Sequence, residues 1–266
     1  MGVLALRYSS ERVRRMIPFR LIARLDIKGP NVVKGIQCEG LRVVGKPAEM
    51  ALRYAQGGAH ELYYLDTVAS LYGRNQLLGL LEETTEGVFI PITVGGGVRS
   101  LADIRALLRA GADKVSINTA ALHNPDLINE AADTVGSQAV VVAIDAKRRA
   151  QGDFEAMVEG GRQATGRDAV AWAYEAAERG AGEIVLTSID RDGTRRGFDL
   201  DLVAAIAPRL PIPAVAAGGG GSLAHVEAAR AAGADAVALG AALHYGSVEF
   251  NGTGLRTPQG RAAASL

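Results

Sequence analysis

The chain has 266 residues, 48% of them hydrophobic and 22% charged, with Lys+Arg and Asp+Glu equal at 29 each. Such a composition suits one large α/β domain or two small ones. It supplies no bulk electrostatic reason to hold nucleic acid or an anionic membrane. The one cysteine, Cys38, excludes an internal disulfide and a multi-cysteine metal site, so a reducing, cytoplasmic setting is expected.

The chain opens with "MGVLALRYSSERVRRM", whose apolar run is too short for a secretory signal and which carries Glu11, against a transit peptide. Residues 1–16 are expected to be an extension ahead of a domain starting near Ile17, with Met16 a candidate start. No stretch reaches the roughly 18 apolar residues of a membrane span. Eight short apolar runs follow: "LIARLDI", "ELYYLD", "PITVGGG", "KVSIN", "AVVVAID", "EIVLTSID", "PAVAAGGG" and "AVALG". They are buried-type runs, as parallel strands covered on both faces should be. Between most of them lie Ala/Leu-rich helical patterns such as "LADIRALLRAG" and "AVAWAYEAAERG", each stopped by glycine. Eight strands alternating with helices predict an α/β fold, a (β/α)8 TIM barrel over 17–246. A dinucleotide-binding sheet would need a G-x-G-x-x-G after its first strand, and there is none. The last piece, 247–266, has three glycines, a proline and no apolar period, so the eighth helix is doubtful and a short or disordered tail is expected.

The barrel is written twice. "GGGVRSLADIRALLRAGADKVSINTAAL" from Gly95 matches "GGGGSLAHVEAARAAGADAVALGAAL" from Gly218 once one residue is dropped after the glycines, an offset of 123 at the glycines and 122 at "GAD". Glu61 and Glu183 are also 122 apart, and the strand-ending Asp26 and Asp145 are 119 apart. Units of this size are too long for a solenoid repeat and fit two half-barrels.

Barrel chemistry sits at the C-terminal ends of the strands, where this chain places Asp26, Asp66, Asp145 and Asp190. Strands one and five face each other across such a mouth, so Asp26 and Asp145 are candidates for a general acid and a general base. Helix capping is the plainer use of any single one. The glycine runs after strands three and seven, each leading into a helix, are candidate phosphate sites. They are joined by Asn118-Thr119 and by Leu239-Gly240-Ala241 at the ends of strands four and eight. Two such sites suit a substrate with a phosphate at each end. Lys34, in "NVVKGI", falls on the loop after strand one and within reach of the mouth. His60, His123, His225 and His244 lack ligand spacing, so no metal and no cofactor is expected; Trp172 reads as packing, and Cys38 carries no signal of reactivity.

The segments "TVGGGVRSLADIRALLRAGADKVSINTAA", "VVAIDAKR" and "GAGEIVLTSIDRDGT" resemble the cyclase subunit of imidazole glycerol phosphate synthase, over about Ile17 to Gly246. That resemblance implies a lyase/cyclase of histidine biosynthesis. Ammonia from a separate glutaminase subunit, its heterodimer partner, would attack a formimino-aminoimidazole-carboxamide ribonucleotide carrying two phosphates, giving imidazole glycerol phosphate and the aminoimidazole carboxamide ribotide. By motif match, Asp26 and Asp145 would be the acid/base pair, and Lys34 would lie on a mobile loop over the substrate. Gly97, Asn118 and Thr119 would hold one phosphate; Asp192, Gly193, Gly219 and Gly240 would line the other end. Arg20, Glu61, Lys114 and Glu183 would form the charged ring through which ammonia enters at the opposite face. The sequence departs from the family at Arg24, where cysteine is usual, and at Ala217 and Ala241, where serines are often seen near the second phosphate. These departures, with the weak last helix, leave a second expectation: a paralogue delivering ammonia for amidination of surface sugars.

Overall fold

The computed structural model describes residues 18–67, 77–252 and 254–258; the expected extension over 1–16 lies outside the described residues. In chain order, β1 (Arg20–Lys28) turns back into β2 (Asn31–Ile36) and β3 (Glu39–Gly45), followed by α1 (Pro47–Gly57) and β4 (Glu61–Asp66). Next come α2 (Leu77–Thr85), β5 (Ile92–Gly95), α3 (Leu101–Arg109), β6 (Lys114–Ile117), α4 (Thr119–His123) and α5 (Asp126–Val135). The second half has β7 (Val140–Arg148), β8 (Phe154–Val158), β9 (Gln163–Asp168), α6 (Ala169–Glu178), β10 (Glu183–Ser188) and α7 (Leu200–Ile206). It ends with β11 (Ala214–Ala217), α8 (Leu223–Ala231), β12 (Ala236–Leu239) and α9 (Ala241–His244).

Strands β1, β4, β5, β6, β7, β10, β11 and β12 pair in parallel in that order, and β12 pairs back to β1, so the sheet closes into the expected eight-stranded barrel. Closure removes every edge from the inner sheet. The strands alternate between two apolar layers. Outward residues such as Leu21, Ala23, Leu25 and Ile27 of β1 pack against the helices. Inward ones form a separate cluster in the lumen, including Ile22, Val141, Ala143, Val185, Val215, Ala236 and Ala238. Helix starts are fixed locally: Ser100 and Asp103 make a reciprocal capping box on α3, and Asp168, Asp199 and Ser222 cap α6, α7 and α8. Trp172 is fully buried on α6.

From β4 onward the half-barrel repeat keeps one offset. Strands β4 and β10, β5 and β11, β6 and β12, and helices α3 and α8 all begin 122 residues apart. The glycine runs therefore align without dropping a residue. Gly95 corresponds to Ala217 as the last residue of its strand, and Gly97 corresponds to Gly219. Each half also raises an antiparallel extension above the mouth, β1–β2–β3 in the first and β7–β8–β9 in the second. Among the described residues the place of a full eighth helix is taken by α9, four residues long. Past it a short ribbon, β13 (Glu249–Phe250) with β14 (Leu255–Arg256), supplies Phe250, whose ring packs edge-on against Tyr54 of α1.

Candidate active site

The strand ends converge on one cavity of about 450 Å³ that opens between the two extensions. Asp26 and Asp145 both line it, one from each half. Counting by two from the first residue of each strand reaches the site. On β1, Arg20, Ile22, Arg24 and Asp26 point inward in succession, and on β10 Glu183, Val185 and Thr187 do the same.

The two aspartates sit in opposite environments. Asp26 is buried, and both carboxylate oxygens are taken: Arg24 Nε donates to Oδ1 at 2.8 Å and Lys34 Nζ to Oδ2 at 2.7 Å. Burial alone would raise its pKa, but the two cations outweigh burial and hold the carboxyl well below the usual range. Among the described residues Asp145 accepts one side-chain hydrogen bond, from Asn118 Nδ2 at 3.0 Å. Burial pushes its carboxyl up to about 6; Arg24 pulls downward, and the negative Asp192 and Asp26 add to the rise. Near neutral pH one carboxyl is therefore a fixed anion and the other sits close to its titration point, the separation that divides base from acid.

Lys34 is not on a loop. "NVVKGI" forms β2, paired antiparallel to β1 with Asp26 opposite Val33, because Val32 and Val33 are buried against the barrel and draw the segment into the sheet. Its ammonium is buried and bridges Asp26 to Asp192, with both Asp192 oxygens at 3.0 Å. Lys34, Arg24 and Asp192 together form the wall between the main cavity and a small pocket of about 10 Å³. That pocket gathers Gly193, Gly219 and Gly240, while Gly97, Asn118 and Thr119 line the main cavity. The residues predicted for the two phosphate ends thus fall in two pockets that share this wall.

Glycine is required at the equivalent turns. A Cβ on Gly96 (φ +97°) would lie 2.2 Å from the Asp66 carbonyl oxygen, and one on Gly218 (φ +82°) 2.6 Å from that of Ser188. Ala241 lines the small pocket, leaving backbone donors where a hydroxyl was expected. Ala217 does not; as the last residue of β11 it belongs to the lumen cluster. Asn118 Oδ1 is buried with no partner among the described residues, an acceptor left for whatever fills the cavity.

At the other end of the lumen, Arg20, Glu61, Lys114 and Glu183 are each the first residue of a barrel strand and form one closed ring. Arg20 pairs with Glu61 at 2.7 Å and Glu183 at 3.2 Å; Lys114 pairs with the same two at 3.1 and 2.8 Å. Every charge has two opposite neighbours, which offsets the cost of drawing four charges into the strand ends.

Other strand-end groups serve structure or lie at the rim. Asp190 accepts from the Arg148 backbone N–H. His60 and His225 accept backbone N–H groups, His244 pairs with Tyr54, and His123 lines the main cavity. Burial pushes the Cys38 thiol up to about 12, with Asp192 and Asp145 adding to it, which disfavours the thiolate near neutral pH. No group of three metal-binding side chains exists among the described residues, and none of their helices is long and apolar enough to cross a membrane. Residues not singled out from the sequence are Tyr63, Ser116 and Thr187 on the floor, Arg99 and Arg162 beside the Asn118 end, and Arg195 in the small pocket. For the first three, the inward count by two was the available signal.

Residues 20–249 match the family model described as histidine biosynthesis protein. A relative from Legionella pneumophila, the imidazole glycerol phosphate synthase subunit HisF, is 59% identical over 77% of this chain and 96% of its own length. Subunits of the same name from Thermosynechococcus vestitus and Streptomyces coelicolor are each 50% identical, over 88% and 87% of this chain and 85% and 92% of theirs. With a closed two-fold-repeated barrel and this coverage, the chain belongs to the histidine biosynthesis protein family.

Proposed function

We infer that the chain is the cyclase subunit of imidazole glycerol phosphate synthase, converting the two-phosphate formimino ribonucleotide to imidazole glycerol phosphate and the aminoimidazole carboxamide ribotide. The observation that carries the reading of the site is the pair Asp26 and Asp145, one from each half-barrel, in one cavity with different proton affinities. Adding ammonia to the substrate and closing a ring move protons off nitrogen and onto a leaving group. Asp26 is anionic and becomes able to accept a proton once Lys34 is drawn off it; Asp145, near its titration point, is suited to donate one and take it back.

Binding follows from the two ends. The Gly97 and Asn118-Thr119 turns would hold one phosphate by backbone N–H groups. Gly193, Gly219 and Gly240 would hold the other, with Lys34 turning from Asp192 toward it. The small pocket must widen for this, and Lys34 is the side chain that walls it off. The relatives are named as subunits, and the charged ring at the far end of the lumen suits docking of an ammonia-producing glutaminase subunit there.

Turnover of the formimino ribonucleotide with ammonium salt alone tests the reading without the partner. Asp26→Asn and Asp145→Asn should each abolish turnover while binding of the substrate is retained. Full activity in either variant would refute the acid/base assignment.

A further inference from the structure

The mechanism above leaves Arg24 unused, although it is a buried cation at the centre of the site. It rises from β1, donates through Nε to Asp26 at 2.8 Å and through Nη1 to Thr187 Oγ1 of β10 at 3.1 Å, and lies 5.9 Å from the centre of the Tyr63 ring. In the ring of strands β10 is three places from β1, so this side chain spans the lumen floor rather than following its own wall. Such a span fixes the guanidinium at both ends.

We propose that Arg24 is a positioning residue that keeps Asp26 anionic and oriented while Lys34 is withdrawn to the substrate phosphate. Asp26 has two cationic partners, and they are not equivalent. Both border the small glycine pocket, but Lys34 holds Asp26 and Asp192 through a single Nζ and can swing to an anion entering there, whereas Arg24 is tied through Nε to Asp26 and through Nη1 to Thr187. Among the described residues no second carboxylate lies at hydrogen-bond distance from Arg24; its other bond is to the neutral Thr187, and Asp192 acts on it only through space. When Lys34 leaves, Arg24 is the counterion that remains. The other charged or titratable groups facing Asp26 are Asp145 and Asp192, whose negative charges oppose its ionisation, and the neutral Tyr63 and His244. Without Arg24, substrate binding would itself promote protonation of the base.

This inference takes its chemistry from the cyclase reading, but it can be tested apart from it. The carboxyl ¹³C resonance of Asp26, identified by its loss in Asp26→Asn, is titrated in the ligand-free Lys34→Met chain, which imitates withdrawal of the lysine. Adding Arg24→Met or Arg24→Gln should raise the Asp26 midpoint by at least about one pH unit, the effect of losing an adjacent cation. Arg24→Lys should largely restore it. An unchanged midpoint in whichever neutral variant folds would overturn the proposal. In ammonium-driven turnover, Arg24→Met or Arg24→Gln should lose more kcat at about pH 5 than at about pH 8 relative to the parent chain. An equal loss at both pH values would mark Arg24 as merely structural and overturn the role. If the parent chain does not turn over the ribonucleotide at all, the cyclase reading fails, and the titration still decides whether Arg24 holds the charge of Asp26.

Discussion

Asp145→Asn should inactivate the protein and stabilise it. Folding lifts the Asp145 carboxyl from its ordinary 3.8 to about 6, because burial disfavours the charged form. A carboxyl raised on folding binds more protons in the native state than in the unfolded one between those two values. Its favourable contribution is therefore complete below about 3.8 and is lost as pH rises through about 6. Above that, the native state carries the full cost of a buried anion, which the shift sets at about 3 kcal/mol as an upper figure, since Asp145 is reached by solvent through the cavity. Asparagine keeps the shape and can still accept the Asn118 amide, now 3.0 Å from Oδ2, but is never charged. Urea denaturation at about pH 8 should show the variant more stable by up to about 3 kcal/mol, and at about pH 4 the difference should nearly vanish. Titration of Asp26 and the ring occurs in both chains and cancels in the comparison. A variant no more stable than the parent chain at about pH 8 would refute the assignment of a raised Asp145 and, with it, the division of labour between the two aspartates.

Three further outcomes follow from the same structure. Lys114→Met leaves Glu61 and Glu183 with Arg20 alone, and urea denaturation should show a loss of roughly 1–3 kcal/mol, less than the cost of a fully buried pair because the ring is partly solvated. Combining it with Glu183→Gln should cost less than the sum of the two single losses; additivity within about 0.5 kcal/mol would show that the ring is not one network. Gly96→Ala forces a Cβ to 2.2 Å from a carbonyl oxygen at positive φ, and should cost more than about 1 kcal/mol by denaturation. Cys38, with its thiol raised to about 12, should react with iodoacetamide at about pH 7.5 much more slowly than glutathione in the same tube; comparable rates would contradict its half-buried, acid-flanked position.

The sequence by itself determined the barrel, its duplication and the location of the chemistry. Short buried-type runs separated by capped helices admit little else. Glycine runs at equivalent strand ends locate the turns, because few other residues tolerate a carbonyl at 2.2 Å. The duplicated strand ends singled out Asp26 and Asp145 and the family resemblance added the four ring charges, and these meet in space as strand alternation requires. Tertiary structure decided the rest. Lys34 looked like a loop residue because two valines and a turn carry little pattern; only pairing with β1 turns them into a strand and buries the lysine between two aspartates. The unequal proton affinities of Asp26 and Asp145 are invisible in their similar strand-end motifs. They arise because Arg24 and Lys34 converge on one carboxyl while an uncharged amide meets the other. The span of Arg24 from β1 to Thr187 depends on barrel closure, which brings strands 163 residues apart in sequence within one side chain's reach. Electrostatics of this kind depends on distance and burial, and neither can be read along the chain.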